Sequence, residues 1–182
     1  MMNFCSNCGS AVHLSIIPGD TVKRFYCDTC GTIHYQNPKV IVGCLARQGS
    51  KILLCKRAIE PQIGKWGIPA GYLENGETIE AGAVRETFEE SYGVVADLSL
   101  HCLYNLPHVN QLYIFYTATL VSWDFVPNAE TSEAALFEPD EIPWHELAFT
   151  SNRFALEKYL SDEKAENNNV FVGTFDGDSR SF

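Results

Sequence analysis

Between Arg85 and Glu90 the chain reads Arg-Glu-Thr-Phe-Glu-Glu, so three carboxylates fall within little more than one helical turn. Residues three and four apart on a helix are neighbours, and like charges there are destabilising. Glu86 meets both Glu89 and Glu90 at that spacing. At about 100° per residue, Val84 and Phe88 lie together and the glutamates cluster roughly opposite. A carboxylate face this dense calls for a partner, and a hard divalent cation bound through oxygen fits it.

A second constellation lies near the N-terminus. Cys5-Ser6-Asn7-Cys8-Gly9 is echoed by Cys27-Asp28-Thr29-Cys30-Gly31, with 18 residues between the pairs. Four thiolates suit tetrahedral Zn²⁺ and leave no open coordination position, so the expected site is structural. So small a module cannot bury enough apolar surface to fold alone, and metal would supply its stability. Disulfides or a redox Cys-x-x-Cys fit less well, because no βαβ pattern surrounds either pair. His13 and His34 lie near the cysteines but are superfluous as ligands. The remaining Cys44, Cys55 and Cys102 sit in apolar segments and read as buried small side chains.

These residues need elements to position them. Residues 1–36 form the expected zinc module, 37–165 a catalytic domain and 166–182 a C-terminal tail. Asn37-Pro38 marks the boundary. Strand patterns run over Lys39–Leu45 and Lys51–Cys55, with Gln48-Gly49-Ser50 as the turn between them. Gly64–Gly71 reads as a glycine-rich loop with short extended pieces. Thr78 is the expected N-cap of a helix that ends near Tyr92, stopped by Gly93. Val94–Leu106, Gln111–Val121 and Ala134–Phe137 read as strands, and Ser151–Asp162 as a last helix. Val170-Phe171-Val172 is expected to be an extended tail.

Composition narrows the classes. A hydrophobic content of 46% is ordinary for a globular core. No run of 18 apolar residues exists, so no membrane span is expected. No signal peptide is visible, and the unpaired cysteine count fits a reducing compartment, so a cytoplasmic protein is expected. A formal net charge of −10 argues against nucleic acid as a partner.

The stretch from Gly71 to Val94 resembles the signature of the Nudix hydrolases, matching it at Gly71, Glu77, Arg85, Glu86, Glu89 and Glu90. Thr87 replaces an aliphatic residue, and Ser91-Tyr92 adds one residue before Gly93. The resemblance implies an α/β/α sandwich around a mixed sheet and cleavage of a nucleoside diphosphate linked to a second moiety. It implies Glu86 and Glu90 as main ligands of Mg²⁺ or Mn²⁺, with Glu89 and the Ala70 carbonyl joining them. Glu77 and Arg85 would pair and hold the loop to the helix. For the general base, Glu89, Glu130 and Glu133 are candidates, Glu133 being slightly favoured. A bound metal would acidify the attacking water.

A zinc ribbon ahead of such a domain resembles two groups. One is the NADH and NAD-capped RNA diphosphatases, which carry a Ser-Gln-Pro-Trp-Pro-Phe-Pro-type stretch where this chain has Leu103–Gln111. The other is the FAD/ADP-ribose diphosphatases, echoed in Tyr35–Lys39, Val42–Leu45, Leu53–Arg57, Leu73–Glu77 and Phe137–Pro143. Similarity to the second group implies FAD or ADP-ribose as the small-molecule substrate, and family members are often homodimers. A catalytically silent domain acting as a ligand sensor is the alternative from another class. Trp66, Tyr72, Tyr113 and Phe115 are candidates to stack on a base or flavin ring. Lys56 and Arg57 are candidates to meet a phosphate.

Overall fold

In the computed structural model, which describes residues 2–164 and 169–175, each Cys-x-x-Cys pair closes a tight turn. The Gly9 N–H donates to the Cys5 carbonyl at 2.9 Å and the Gly31 N–H to the Cys27 carbonyl at 2.8 Å. Both glycines take a positive φ, 76° and 70°, which a Cβ would disfavour. Around these turns β1 (His13–Ile16), β2 (Lys23–Tyr26) and β3 (Ile33–His34) form an antiparallel sheet. The four sulfurs lie within 4.8 Å of one another, and Cys8–Cys27 and Cys5–Cys30 are 3.5 and 3.6 Å apart. A tetrahedron of ~2.3 Å zinc–sulfur bonds has edges of about 3.8 Å. The cluster therefore fits a zinc ribbon. Its unit spans Met1–Asn37, and among its described residues only Cys5, Phe25 and Cys27 are buried.

The second unit, Pro38–Phe182, is built on one large sheet. β4 (Lys39–Gln48) and β5 (Lys51–Arg57) form a hairpin that pairs only beside its turn, at Arg47↔Ile52 and Gln48↔Lys51. Beyond that point the strands part. The slot is filled by two short strands from the glycine-rich segment: β6 (Trp66–Gly67) pairs with β5, and β7 (Ala70–Tyr72) pairs with β4. After α1 (Ile79–Ser91), the long strands β8 (Val94–Leu106) and β9 (Gln111–Ser122) follow, then β10 (Thr131–Phe137), α2 (Thr150–Lys164) and β11 (Phe171–Thr174). The strand order is β10-β5-β4-β9-β8-β11. β4 with β9 and β8 with β11 run parallel, and the other pairs antiparallel, so the sheet is mixed.

Side chains alternate across a strand, and both faces of β4 are apolar. Val42 and Cys44 point to the α1 side, where they pack with Ala83, Ile114, Tyr116 and Ala118. Ile41 and Leu45 point to the other side, with Phe115, Cys102, Tyr104 and the α2 residues Ala155 and Leu156. A sheet covered by a helix on each face is the α/β/α arrangement the resemblance implies. Cys44, Cys55 and Cys102 are all buried. Residues 171–174 are extended, as expected, and are also hydrogen-bonded as an edge strand beside β8. The rest of the expected tail, 166–168 and 176–182, lies outside the described residues. No helix among the described residues is long and apolar enough to cross a membrane.

Candidate active site

The site begins with how α1 starts and stops. Thr78 is the N-cap, its Oγ1 accepting the Ala81 N–H at 3.1 Å. At the far end Tyr92, rather than Gly93, takes the left-handed conformation, with φ 56° and its N–H on the Phe88 carbonyl at 2.7 Å. The extra residue before Gly93 thus serves as the cap. Asn128, from the loop before β10, donates to the Glu89 carbonyl at 3.0 Å. Its Oδ1 accepts the N–H groups of Glu130 and Thr131 at 2.9 and 2.8 Å. One side chain therefore ties that loop to the end of the helix.

The helix turns Glu86 inward together with Ala83 and Thr87, leaves Glu89 exposed, and carries two aromatics on its outer side. Glu86 is buried, whereas Phe88 and Tyr92 are exposed and meet edge to face at 5.8 Å. Arg85 organises the carboxylates. Its Nη2 meets Glu77 at 2.7 Å, its Nε the same carboxylate at 3.1 Å, and its Nη1 meets Glu86 at 2.7 Å and Glu89 at 3.0 Å. It also donates to the Tyr72 carbonyl at 3.0 Å, locking β7 to the helix. Glu77 is held below the usual carboxylate range by that guanidinium and by the Glu74 N–H.

Gly71 explains the first position of the motif. A Cβ there would collide with the Glu86 carboxylate, so only glycine lets β7 approach α1 this closely. One residue earlier, the Ala70 N–H donates to Glu90 Oε2 at 3.1 Å. Glu90 keeps part of its surface open, but its carboxyl is desolvated by surrounding protein, and burial pushes its pKa up to about 8. The Ala70 hydrogen bond opposes this rise, and the neighbouring Glu86 adds to it. Burial also raises Glu86. Two desolvated carboxyls side by side, with a third acid, Glu130, close enough to raise both, form a site short of positive charge.

Glu86, Glu89, Glu90, Glu130 and Ala70 line one cavity of about 580 Å³, which also takes in Arg57, Tyr72, Tyr113 and Phe149. Carboxylate and carbonyl oxygens are the donors a hard divalent cation takes; here Glu86 and Glu89 are held by Arg85 and Glu90 by the Ala70 N–H. Arg57 reaches the Pro61 carbonyl through Nε at 2.7 Å, and its guanidinium lies 5.1 Å over the Phe149 ring. Tyr72 is exposed at the rim, while Tyr113 is buried in the wall with its hydroxyl 3.3 Å from Gln111 Oε1. Four other candidates sit elsewhere. Glu133 lies opposite Lys56 on the neighbouring strand, 3.2 Å from its Nζ, and neither lines the cavity. Trp66 is buried against Phe137 at 4.9 Å, edge to face, and Phe115 is wholly buried in the core. The structure thus gathers the helix acids, Ala70, Arg57, Tyr72 and Tyr113 at one place and leaves Glu133, Trp66, Lys56 and Phe115 out of it.

Comparison with known families decides what this arrangement belongs to. The family description NUDIX domain matches residues 37–158, and a zinc-ribbon description, Nudix N-terminal, matches residues 3–36. The chain belongs to the Nudix hydrolases. A crystallised NUDIX hydrolase from Nitrosomonas europaea is 46% identical, with a TM-score of 0.91 over 96% of this chain and 99% of that one. Among curated relatives, the NAD-capped RNA hydrolase NudC of Stutzerimonas stutzeri is 29% identical over 163 residues, covering 87% of this chain and 56% of its own length. The ADP-ribose pyrophosphatase of Methanocaldococcus jannaschii is 31% identical over 121 residues, 63% of this chain and 69% of that protein. The chain spans a little over half the length of the NudC proteins it matches.

In this Nudix chain, sequence reasoning missed Asn128, Phe149 and Asn152. Asn128 follows Pro127 in a polar loop, a setting that signals a turn but not a clamp on a distant helix. Phe149 and Asn152 enter the cavity only because the start of α2 is folded back over β6, with the Ala148 N–H on the Trp66 carbonyl at 2.8 Å. No local spacing announces that contact.

Proposed function

We propose that the chain hydrolyses the diphosphate bond of a nucleoside diphosphate joined to a second moiety. ADP-ribose, giving AMP and ribose 5-phosphate, and FAD, giving FMN and AMP, are the substrates in view. The observation that carries this reading is the carboxylate end of the cavity, lined together by Glu86, Glu89, Glu90, Glu130 and Ala70. An enzyme gains little from desolvating acids together unless positive charge arrives with the ligand. Glu86, Glu90, Glu89 and the Ala70 carbonyl would hold one or more divalent cations, Mg²⁺ or Mn²⁺. Such a cation neutralises the diphosphate and acidifies a water for attack at phosphorus.

The chain's own residues do the rest. Arg85 fixes Glu77, Glu86 and Glu89, so those carboxylates do not rearrange when substrate enters. Glu130, whose backbone N–H is held by Asn128, would accept the proton of the attacking water at a carboxylate oxygen; its place in the cavity lining supports this, and Glu89 lines the same cavity. Arg57 meets a phosphate oxygen at the cavity wall, and Tyr72 at the rim offers a ring to the base. The four-cysteine cluster would hold Zn²⁺ as a structural ion, and its closed donor set gives it no part in the chemistry.

A second reading is cleavage of NADH or NAD-capped RNA, favoured by relatives named NudC that match 87% of the chain. Turnover of ADP-ribose, FAD, NADH and NAD-capped RNA, measured side by side with Mg²⁺, separates the two. The first reading predicts the highest kcat/KM on ADP-ribose or FAD, and the reverse order would replace it with the second.

A further inference from the structure

Asn152 stands in the first turn of α2 and lines the cavity, yet the chemistry above does not use it. Its residue surface is 3% exposed. Its backbone N–H bonds the Phe149 carbonyl at 3.1 Å. Its side-chain amide makes no hydrogen bond to any described residue. Such an amide costs free energy unless something pairs with it. The sealed, unpartnered side-chain polar atoms among the described residues are Trp123 Nε1 and Ser151 Oγ, so the Asn152 amide is not sealed: it opens to the cavity.

The fold also makes room for it. Gly67 on β6 faces Asn152, and a Cβ at that glycine would stand 2.8 Å from Nδ2. Among the described residues the other amide lining the cavity, Gln111, is engaged, with Nε2 3.5 Å from the Tyr72 hydroxyl and Oε1 on the Tyr113 hydroxyl. Beside Asn152 the wall is formed by Ile68, next to Gly67, and by Phe149 one turn earlier, whose ring carries the Arg57 guanidinium at 5.1 Å. An uncharged donor–acceptor pair beside Ile68 and the Phe149 ring matches a planar heterocycle, while the diphosphate belongs with Arg57 and the glutamates.

We propose that Asn152 is a specificity-determining residue that reads the adenine edge of the substrate, its Oδ1 accepting from the 6-amino group and its Nδ2 donating to the adjacent ring nitrogen. A carboxamide satisfies adenine's neighbouring donor and acceptor bidentately, and Asn152 supplies one. Guanine presents an acceptor where adenine has its amino group, and donors at N1 and N2. This inference rests on the diphosphatase reading for where the diphosphate lies.

The test compares ADP-ribose with GDP-ribose, which differ only in the base, on zinc-loaded protein with Mg²⁺. The ratio of the two kcat/KM values is independent of how much of a variant is folded. Wild type is expected to prefer ADP-ribose. In Asn152→Asp, whose carboxylate accepts only, the preference is expected to fall by roughly 5- to 150-fold, the worth of one bidentate contact. Asn152→Ala is expected to lose preference without favouring guanine. An unchanged ratio in both variants, with or without an equal loss on both substrates, overturns the proposal and leaves the diphosphatase reading standing. If wild type cleaves neither compound, that reading fails separately. The same ratio is then read from the equilibrium binding of ADP and GDP: a shift in the variants supports the base contact, and none refutes it.

Discussion

Glu130 and Glu133 show what a residue's type leaves open. Both are acids in the loop and strand after β9, three residues apart, and sequence reasoning leans to Glu133. The difference is register. Thr131 pairs with Arg57 and Glu133 with Lys56, with a shift in pairing between them. Glu133 is thereby committed to an exposed cross-strand bridge, while Glu130 stays on the loop that Asn128 ties to α1. We therefore expect Glu130→Gln to lower kcat by roughly 10²- to 10⁴-fold, the usual worth of a positioned base. Glu133→Gln loses one exposed ion pair and should stay close to wild type. Equal losses in both variants, measured as initial rates at saturating substrate, would reject the assignment. The helix glutamates were legible because their spacing is short and local. Trp66 was not: a tryptophan in a glycine-rich loop reads alike whether it stacks on a ligand or, as here, on Phe137 in the core.

At the scale of elements, nearly every strand and both helices of the catalytic unit were visible as hydrophobic pattern, and Thr78 marked the start of α1. What the pattern could not carry was pairing. The parting of β4 from β5, the two-residue strand β6 and the parallel contacts of β9 and β11 depend on residues far apart in the chain. His101 illustrates such a contact. It lies on β8, buried, with Nε2 2.9 Å from the Ala155 carbonyl of α2 and its ring against Tyr159 and Phe171. A carbonyl only accepts, so Nε2 donates, and burial lowers the imidazole's pKa below 6.5 despite Asp162 nearby. The unfolded chain takes up this proton more readily than the folded one. Stability from His101 is therefore complete above about pH 6.5 and is lost progressively as pH falls toward the depressed value. Replacing it with Gln keeps an N–H donor and removes the titration. The melting temperature of His101→Gln should fall less than that of wild type between pH 7 and 5. Parallel curves would show that the group does not titrate as described.

For the molecule as a whole, the two units differ in chemistry: thiols in one, alternating apolar strands and clustered acids in the other. The ribbon buries few of its described residues, and Leu14, Ile16 and Tyr35 are exposed. A metal held by the four thiolates would supply its order. Cys5→Ser should therefore cost one equivalent of bound zinc by elemental analysis and lower the melting temperature. Retention of both would refute a structural zinc site. The overall charge of −10 makes the carboxylate cavity an unfavourable host for a diphosphate without cations. On the proposed function, this cavity hydrolyses a nucleotide diphosphate with the help of Glu86 and Glu90 on α1. The most direct test of this reading is AMP release from ADP-ribose by wild type and Glu90→Gln, each with and without Mg²⁺. Wild type is expected to release AMP only with the cation, and the variant to lose roughly 10²-fold or more, since a metal-held transition state is worth several kcal/mol. Release by Glu90→Gln at the wild-type rate, or cation-independent release by both, would contradict it.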